Sequence, residues 1–404
     1  MFNKVTTSVR ILAAAGVEEA GSGHPGMPLG MADVGTVLYK NFLKVSNQNP
    51  TWINRDRFIL SPGHGSMLLY SLLHLNGFDL STEDLRNFRQ YHSKTPGHPE
   101  LDPTLGIDMT TGPLGQGFST GVGFAVAEKY LSELLGNDVI DHFTYGIVSD
   151  GDLMEGVSFE AAELAAVWQL GKLIYIFDNN NISIDGRVSK VSITNQKKKF
   201  EAIGWHVLEI DAHNEDEINT ALENAKLITD KPSLIMAKSI IGKFAPNKQD
   251  TSGIHGSPLG AEEMEEFQQN LEWQGDVFKH DADVYDYFAE KRALDNSSFS
   301  DWEKIFKEKY NNDEVFKKSW DLLTSNEISL DFNSENSSQA TRIAGSNILS
   351  QIGKSSNNII GGSADLTAST KQIVGNSTFS ASDYSGRNIE YGIREHAMGA
   401  IVNG

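Results

Sequence analysis

The sequence predicts an α/β fold built on a doubly wound, mostly parallel sheet, followed by a second α/β unit that is incomplete. Over residues 1 to about 240, short apolar runs alternate with helical patterns, as they do in doubly wound sheets. Residues 143–148 and 173–177 are two such runs, and the segment 155–169 between them is rich in Ala, Glu and Leu. This arrangement predicts two neighbouring parallel strands joined by a crossover helix.

The remaining segments continue the same organisation. Residues 205–210 and 233–240 predict two further strands, and the charged, helical stretch from 261 to about 325 predicts helices on the outside. Residues 326–339 are polar and predict a linker, which gives domains at 1–330 and 336–404.

The second unit is short for a domain. Residues 340–352 predict a helix, and residues 359–365 predict a strand and turn. Residues 397–404 predict a helix that has not yet ended at the last residue. The residues after the linker are too few for a complete α/β domain. We therefore expect this chain to be a fragment that ends inside a domain.

Composition excludes several classes of protein. The formal net charge of −20 argues against a nucleic-acid-binding surface. The chain has no cysteine, which rules out disulfides and thiolate chemistry. It contains neither a signal-peptide layout nor an apolar run long enough to span a membrane. We expect a cytoplasmic protein with no nucleic-acid or membrane partner.

Polar residues follow both of the first two predicted strands. Asp150 and Gly151 come after the first, and Asn180 closely follows the second. Adjacent parallel strands end at the same edge of a sheet, so a carboxylate and an amide oxygen can reach one hard cation there. Gly151 lets a phosphate approach the backbone at a helix N-terminus. The pattern predicts a site for a metal-bridged diphosphate. The alternative is an acidic loop and a polar strand end that bind no ligand and have the same sequence pattern.

The pair Asp150-Gly151, followed downstream by Asn179-Asn180, resembles the thiamine-diphosphate fingerprint. In that fingerprint a glycine usually precedes the aspartate, and this chain has Ser149 in its place. The proposed ligand Asp150 and the turn residue Gly151 are both kept.

Four of the eleven histidines lie in Gly- and Pro-containing loops: His24, His64, His98 and His255. Imidazoles in rigid loops can donate to substrate hydroxyls and carry protons near neutral pH. The four do not predict a zinc site, because no two have helical i, i+4 spacing and cysteine is absent. We interpret another six histidines as structural or surface residues: His74, His92, His142, His206, His213 and His280.

Over the whole chain, these motifs in this order closely resemble the transketolase family. The resemblance implies a thiamine-diphosphate-binding fold, with a diphosphate- and metal-binding domain at 1–330 and the start of a pyrimidine-binding domain at 336–404. It implies Mg²⁺ or Ca²⁺ bound by Asp150, Asn180 and the Ile182 carbonyl. The implied cofactor contacts are His64, Gly112, Pro113, Leu114, Gly151, Asn180, Ile184, His255, Asp365 and Glu395.

The resemblance also implies substrate contacts and catalytic residues. The implied sugar-phosphate contacts are His24, His98, His255, Arg342 and Ser369. Glu395, within the segment Gly-Ile-Arg-Glu-His-Ala-Met, corresponds to the catalytic glutamate, and Glu155 and Glu160 to glutamates that link two active sites. The implied catalytic set also includes His24, His98 and His255.

The implied reaction is the reversible transfer of a two-carbon ketol group from a ketose phosphate, such as xylulose 5-phosphate, to an aldose phosphate, such as ribose 5-phosphate, in the pentose phosphate pathway. The resemblance implies a homodimer with its sites at the interface. The family's aromatic pocket for the pyrimidine would lie beyond Gly404, so we expect residues 1–404 to be inactive alone.

Two alternatives remain open from the sequence. Related thiamine enzymes share the fingerprint, and dihydroxyacetone synthase shares most of the histidine loops. A different class is a non-catalytic diphosphate-binding subunit that needs a partner chain to complete its site.

Overall fold

The computed structural model describes residues 1–325 and 338–404. Its described helices, in chain order, are α1 Phe2–Ala20, α2 Gly26–Val37, α3 Ser66–Leu75, α4 Thr82–Arg86, α5 Gln116–Leu135, α6 Asp150–Met154, α7 Gly156–Val167, α8 Gln196–Ala202, α9 Glu215–Lys226, α10 Ala261–Asn270, α11 Ala282–Asp286, α12 Ala289–Asn312, α13 Glu314–Thr324, α14 Thr341–Ser355, α15 Thr367–Thr370 and α16 Glu395–Ile401.

A five-stranded parallel sheet forms the centre of the molecule, with strand order β1-β2-β3-β7-β6. The described strands are β1 Arg57–Leu60, β2 Thr144–Ser149, β3 Leu173–Asn179, β4 Ile182–Ser183, β5 Gly186–Arg187, β6 His206–Asp211, β7 Ser233–Lys238, β8 Gly361–Ser363 and β9 Asn388–Glu390. Strands β4 and β5 form a small antiparallel hairpin, whereas β8 and β9 pair in parallel.

Strands β2 and β3 are parallel neighbours, which confirms the central expectation from the sequence. Their register places Thr144 opposite Leu173 and Ser149 opposite Asp178. Both strands therefore end together, and the polar residues that follow them open on one edge of the sheet.

Helices cover both faces of the sheet, which makes the fold doubly wound. Because successive strand residues point to opposite faces, Ile174 and Ile176 pack with α1, α2 and α3, while Tyr175 and Phe177 pack with α5 and α7. Strand residues buried on both faces explain the nearly continuous apolar runs in the sequence.

The second described unit contains α14, α15, α16 and the β8–β9 pair. Helix α16 packs against α5 and α7 of the first unit. The contact is close: a Cβ placed on Gly123 would lie 2.1 Å from the Ile401 carbonyl oxygen.

The crossover helix expected at 155–169 is confirmed as α7, and the short helix α6 precedes it, separated by Glu155, whose backbone is extended with ψ of 132°. Two other expectations from the sequence need correction. The helix expected at 397–404 begins at Glu395 and ends at Ile401. The strand expected at 359–365 is limited to β8. Most of the predicted linker, at 326–337, lies outside the described residues, and the domain boundaries stay a prediction.

Within residues 1–325 and 338–404, every helix is too short or too polar to cross a membrane.

Candidate active site

Asp150 is the first residue of α6, directly after β2. Ser149, which replaces the glycine of the fingerprint, is the N-cap of this helix: its hydroxyl accepts from the Asp152 N–H, and the Asp152 carboxylate accepts from the Ser149 N–H. This reciprocal capping box gives the departure from the family pattern a structural reason.

The Asp150 carboxylate has an unsatisfied oxygen. Asp150 is buried, and its Oδ2 has no hydrogen-bond partner among the described residues. Burial and, to a lesser extent, the negative charge of Asp178 raise the pKa of Asp150 to about 7, and a hydrogen bond from the Asn181 backbone opposes the shift. A cation at this position would favour the charged carboxylate and satisfy the free oxygen.

The Asn180 side chain is oriented by its neighbours. Its Nδ2 donates to Asp178 Oδ2 at 2.9 Å, and its Oδ1 accepts from the Ile182 N–H at 2.8 Å. Ser239 donates to the other oxygen of Asp178. Burial raises the pKa of Asp178 to about 6, and the hydrogen bonds from Ser239 and Asn180 oppose this rise. The fixed amide leaves a second Oδ1 lone pair for a cation.

The described residues fit a metal that is shared with a bound ligand. Among them, no three His, Asp or Glu side chains converge in the way that a metal site formed by protein alone would need. In the predicted ligand set, Asp150, the Asn180 amide and the Ile182 carbonyl would supply three oxygens, and diphosphate oxygens would complete a hard-cation shell.

The segment Gly112-Pro113-Leu114 connects Asp150 to a second group of residues. A Cβ on Gly151 would lie 2.8 Å from Leu114 Cδ1. Gly112 has φ of 152°, which favours glycine, and a Cβ there would lie 3.3 Å from His98. The segment therefore runs from the end of β2 to a predicted substrate histidine.

The four loop histidines form one cluster. The ring centroid of His24 lies 5.1 Å from that of His64, 6.0 Å from that of His255 and 6.4 Å from that of His98. His64 and His255 are stacked at 5.1 Å. His64 follows β1 and His255 lies in the loop after β7, so the cluster is at the carboxyl edge of the sheet.

All four histidines are held neutral by their surroundings. Burial, followed by the neighbouring histidines, lowers the pKa of His64 to about 3. Burial, the other histidines and Arg89 lower the pKa of His24 to about 4. Burial also lowers the pKa of His98 and His255. Neutral imidazoles can each offer one donor and one acceptor to a polyhydroxylated ligand.

Glu395 is exposed at the N-terminus of α16, next to the first unit. Glu160 on α7 accepts from the Ala397 N–H at 3.0 Å, so it caps the helix that carries Glu395. Arg394 forms an ion pair with Glu163 at 2.8 Å. These contacts attach α16 to α7.

The remaining predicted site residues lie at exposed positions. Arg342 is the second residue of α14 and Ser369 lies on α15, and these two helices pack against each other. Other predicted residues are also exposed: Glu155, Ile184 and Asp365. Their roles stay predictions, because the described contacts do not link them to the histidine cluster.

Two buried aspartates were missed by the sequence reasoning. Asp152 accepts from the Ser61 hydroxyl and from the Gly115 N–H at 2.8 Å, which joins α6 to the loops after β1 and before α5. Asp178 orients Asn180. Asp152 could have been found as the third residue of a capping box, but its distant partners could not.

The comparisons with known proteins agree with this geometry. Residues 2–324 match the family model described as "Transketolase, thiamine diphosphate binding domain", and residues 337–404 match "Transketolase, pyrimidine binding domain". Transketolase of Bacillus subtilis is 44% identical over 99% of this chain and 62% of its own length. Transketolase 1 of Aliivibrio fischeri is 46% identical, with the same two coverages.

Solved structures give the same result. Transketolase from Campylobacter jejuni aligns with a TM-score of 0.92 and 44% identity, over 99% of this chain and 62% of that one. A Pichia stipitis transketolase complex with sedoheptulose 7-phosphate aligns with a TM-score of 0.94 and 38% identity, over 100% of this chain and 62% of that one.

The fold and the matched domains are those of thiamine-diphosphate-binding proteins, and the chain belongs to the transketolase family. It spans about 62% of the length of these relatives.

Proposed function

We propose that the complete protein is a cytoplasmic transketolase, which transfers a two-carbon ketol group from a ketose phosphate to an aldose phosphate in the pentose phosphate pathway. One observation carries the proposal: the segment Gly112-Pro113-Leu114 joins the unsatisfied Asp150 carboxylate to the histidine cluster through contacts at Gly151 and His98. A diphosphate anchor and a surface for sugar hydroxyls are thus adjacent.

Asp150, the Asn180 amide and the Ile182 carbonyl hold Mg²⁺ or Ca²⁺ in this proposal, because all three offer oxygen. Gly151 presents its backbone at the α6 N-terminus, where a phosphate is favoured. Bound thiamine diphosphate supplies the carbon nucleophile and the electron sink for ketol transfer. Gly112, Pro113, Leu114 and Ile184 would contact its rings.

The histidine cluster binds and orients the sugar. Because the pKa values of His24 and His64 lie well below neutrality, these rings can hydrogen-bond hydroxyl groups without adding charge. His98 and His255 extend the same surface, and Arg342 and Ser369 on the second unit would bind the sugar phosphate. Glu395 would hold a proton at the pyrimidine ring nitrogen.

A homodimer would bring Glu395 of one chain to the thiamine-diphosphate site of the other chain. Within one chain, α16 docks on α5 and α7, and Glu395 faces outward. Two large apolar side chains that flank α16, Ile393 before it and Val402 after it, are 79% and 67% exposed, which supports a covering partner. We propose that Glu395 of one subunit serves the diphosphate anchor of the other.

The test is a ketol-transfer assay with xylulose 5-phosphate, ribose 5-phosphate, thiamine diphosphate and Mg²⁺. The complete protein that contains residues 1–404 should turn over, and its Glu395→Gln variant should lose on the order of 100-fold or more in kcat. Glu223→Gln, at an exposed position on α9, is the matched control and should retain activity. Residues 1–404 alone should be inactive.

An inactive complete protein would contradict the proposed reaction. A fully active Glu395→Gln variant would contradict only the role given to that residue.

A further inference from the structure

A buried chain of polar groups lies behind the histidine cluster and connects four segments of the fold. Arg10 on α1 donates from Nε to the Leu29 carbonyl at 2.9 Å and from NH2 to Asp33 at 2.5 Å. His213, in the loop between β6 and α9, donates from Nδ1 to the same Asp33 oxygen at 2.8 Å. The Ile240 N–H donates to His213 Nε2 at 3.2 Å.

These bonds fix the tautomer of His213. A backbone N–H can only donate, so Nε2 must be the acceptor and the ring proton must be on Nδ1, facing Asp33. Burial alone would raise the pKa of Asp33, but the hydrogen bond from His213 and the charge and hydrogen bond of Arg10 lower it to about 2. Arg10 and Asp33 form an ion pair, and His213 connects this pair to the backbone at Ile240.

Through its Nε2, His213 holds the loop after β7, which leads to His255. Ile240 lies two residues after β7, and the Gly242 N–H donates to the Gly26 carbonyl at 2.8 Å. A Cβ on Gly30 would lie 2.8 Å from the Ile240 carbonyl oxygen. The backbone after β7 is therefore seated directly on α2, where a side chain in place of Gly30 would not fit.

The two segments joined in this way carry two members of the histidine cluster. His24 comes just before α2, and His255 comes just after the short helical turn Ser252–Ile254. A Cβ on Gly26 would lie 2.8 Å from the Ile254 carbonyl oxygen, and one on Gly256 would lie 3.1 Å from His24. Any shift of the loop against α2 would change the separation of the two imidazoles.

We propose that His213, held by Asp33 and Arg10, is a positioning residue that sets the separation of His24 and His255 through the Ile240 N–H. The inference rests on the proposed function, because it assumes that the separation of His24 and His255 matters for binding the sugar. His213 touches neither of them, so it acts through the backbone at 240–242. Catalysis and sugar binding tolerate little misplacement of such groups.

Three variants separate positioning from a purely structural role. His213→Phe keeps a ring but removes both hydrogen bonds. His213→Gln has an amide that can donate to Asp33 and accept from Ile240, so it should rescue the function. His206→Phe removes a partly buried histidine at the start of β6 whose ring bonds the Ser233 hydroxyl, and it is the matched control.

Backbone amide hydrogen exchange gives a readout that needs no activity. His213→Phe should speed exchange at Ile240 and Gly242 at least 10-fold, while His213→Gln and His206→Phe should leave it near the wild-type rate. In the complete protein, His213→Phe should raise KM for the ketose phosphate at least 5-fold and change kcat less. Unchanged exchange, or a His213→Gln variant as impaired as His213→Phe, would overturn the inference.

A wild-type measurement covers the case in which His213→Phe does not fold. The ¹⁵N chemical shifts of His213 at pH 7.5 should show protonated Nδ1 and unprotonated Nε2, and a protonated Nε2 would overturn the inference. If exchange responds as expected but the wild-type complete protein transfers no ketol group, the proposed reaction fails while the coupling of His213 to Ile240 stands.

Discussion

Several polar side-chain atoms at the carboxyl edge of the sheet have no partner within the described residues. They are Asp150 Oδ2, His24 Nδ1 and His255 Nδ1. Buried polar atoms are usually hydrogen-bonded. Both carboxylate oxygens of the neighbouring Asp152, for example, accept hydrogen bonds from backbone N–H groups. Within the same described residues, Nδ1 of His142, near the start of β2, also has no partner. The position at the carboxyl edge of the sheet is therefore what distinguishes the first group.

Lowered histidine pKa values predict a particular pH dependence of stability. His64 has a pKa of about 3 when folded and 6.5 as a free side chain. Between these values the unfolded chain binds more protons, so the free energy of unfolding decreases as the pH falls below about 6.5. His64→Asn removes this contribution. From pH 6 to pH 5, wild type should lose on the order of 1 kcal/mol more than the variant.

Urea unfolding at pH 5, 6 and 7 measures this difference. His92→Asn changes an exposed histidine with φ of 60°, a backbone conformation that Asn tolerates, and it should follow wild type. A His64→Asn variant with the same pH dependence as wild type would contradict the neutral, buried state of His64.

At the scale of single elements, helix α6 depends on its cap. Ser149→Ala removes the side-chain half of the capping box and should lower the free energy of unfolding by about 1 kcal/mol, whereas Ser149→Gly should cost only a few tenths. Ser300→Ala changes an exposed serine within α12 whose hydroxyl bonds the Asn296 carbonyl of the same helix, and it should be nearly neutral. Urea unfolding at pH 7 compares the three variants, and equal stability of Ser149→Ala and wild type would count against the cap.

The sequence predicted the strands that build the site and also the crossover helix between β2 and β3, expected at 155–169 and observed as α7. Strands β2, β3, β6 and β7 all lie within two residues of their predicted positions, because runs buried on both faces are continuous and apolar. The separate short helix α6, which ends before the extended backbone of Glu155, was not predicted.

In the candidate site, the sequence predicted residues that belong to local motifs but not contacts between distant segments. Asp150, Asn180 and the four loop histidines were found from local motifs, and the structure brings the histidines together. His213 was interpreted as structural or surface, because its partner Asp33 is 180 residues away in sequence and only the fold shows their contact.

At the scale of the whole molecule, the proposed shared site requires two chains. Analytical ultracentrifugation of the complete protein should show a dimer at micromolar concentration. Ile393→Asp, which places a charge among the exposed apolar residues near Glu395, should weaken association at least 10-fold. Val315→Asp changes a side chain that is 77% exposed on α13 and should leave the dimer intact. A monomeric protein that retains full activity would contradict the shared site.

The central claim is that the carboxyl edge of the sheet binds a diphosphate through a metal held by Asp150. Calorimetric titration of thiamine diphosphate, with and without millimolar Mg²⁺, tests it on the chain itself and on its Asp150→Ala variant. Asp230→Ala, at an exposed position before β7, is the matched control. We expect Mg²⁺-dependent binding by wild type and Asp230→Ala, and binding at least about 10-fold weaker, a loss of about 1.4 kcal/mol or more, in Asp150→Ala. Equal affinity of Asp150→Ala and wild type in Mg²⁺ would contradict the account.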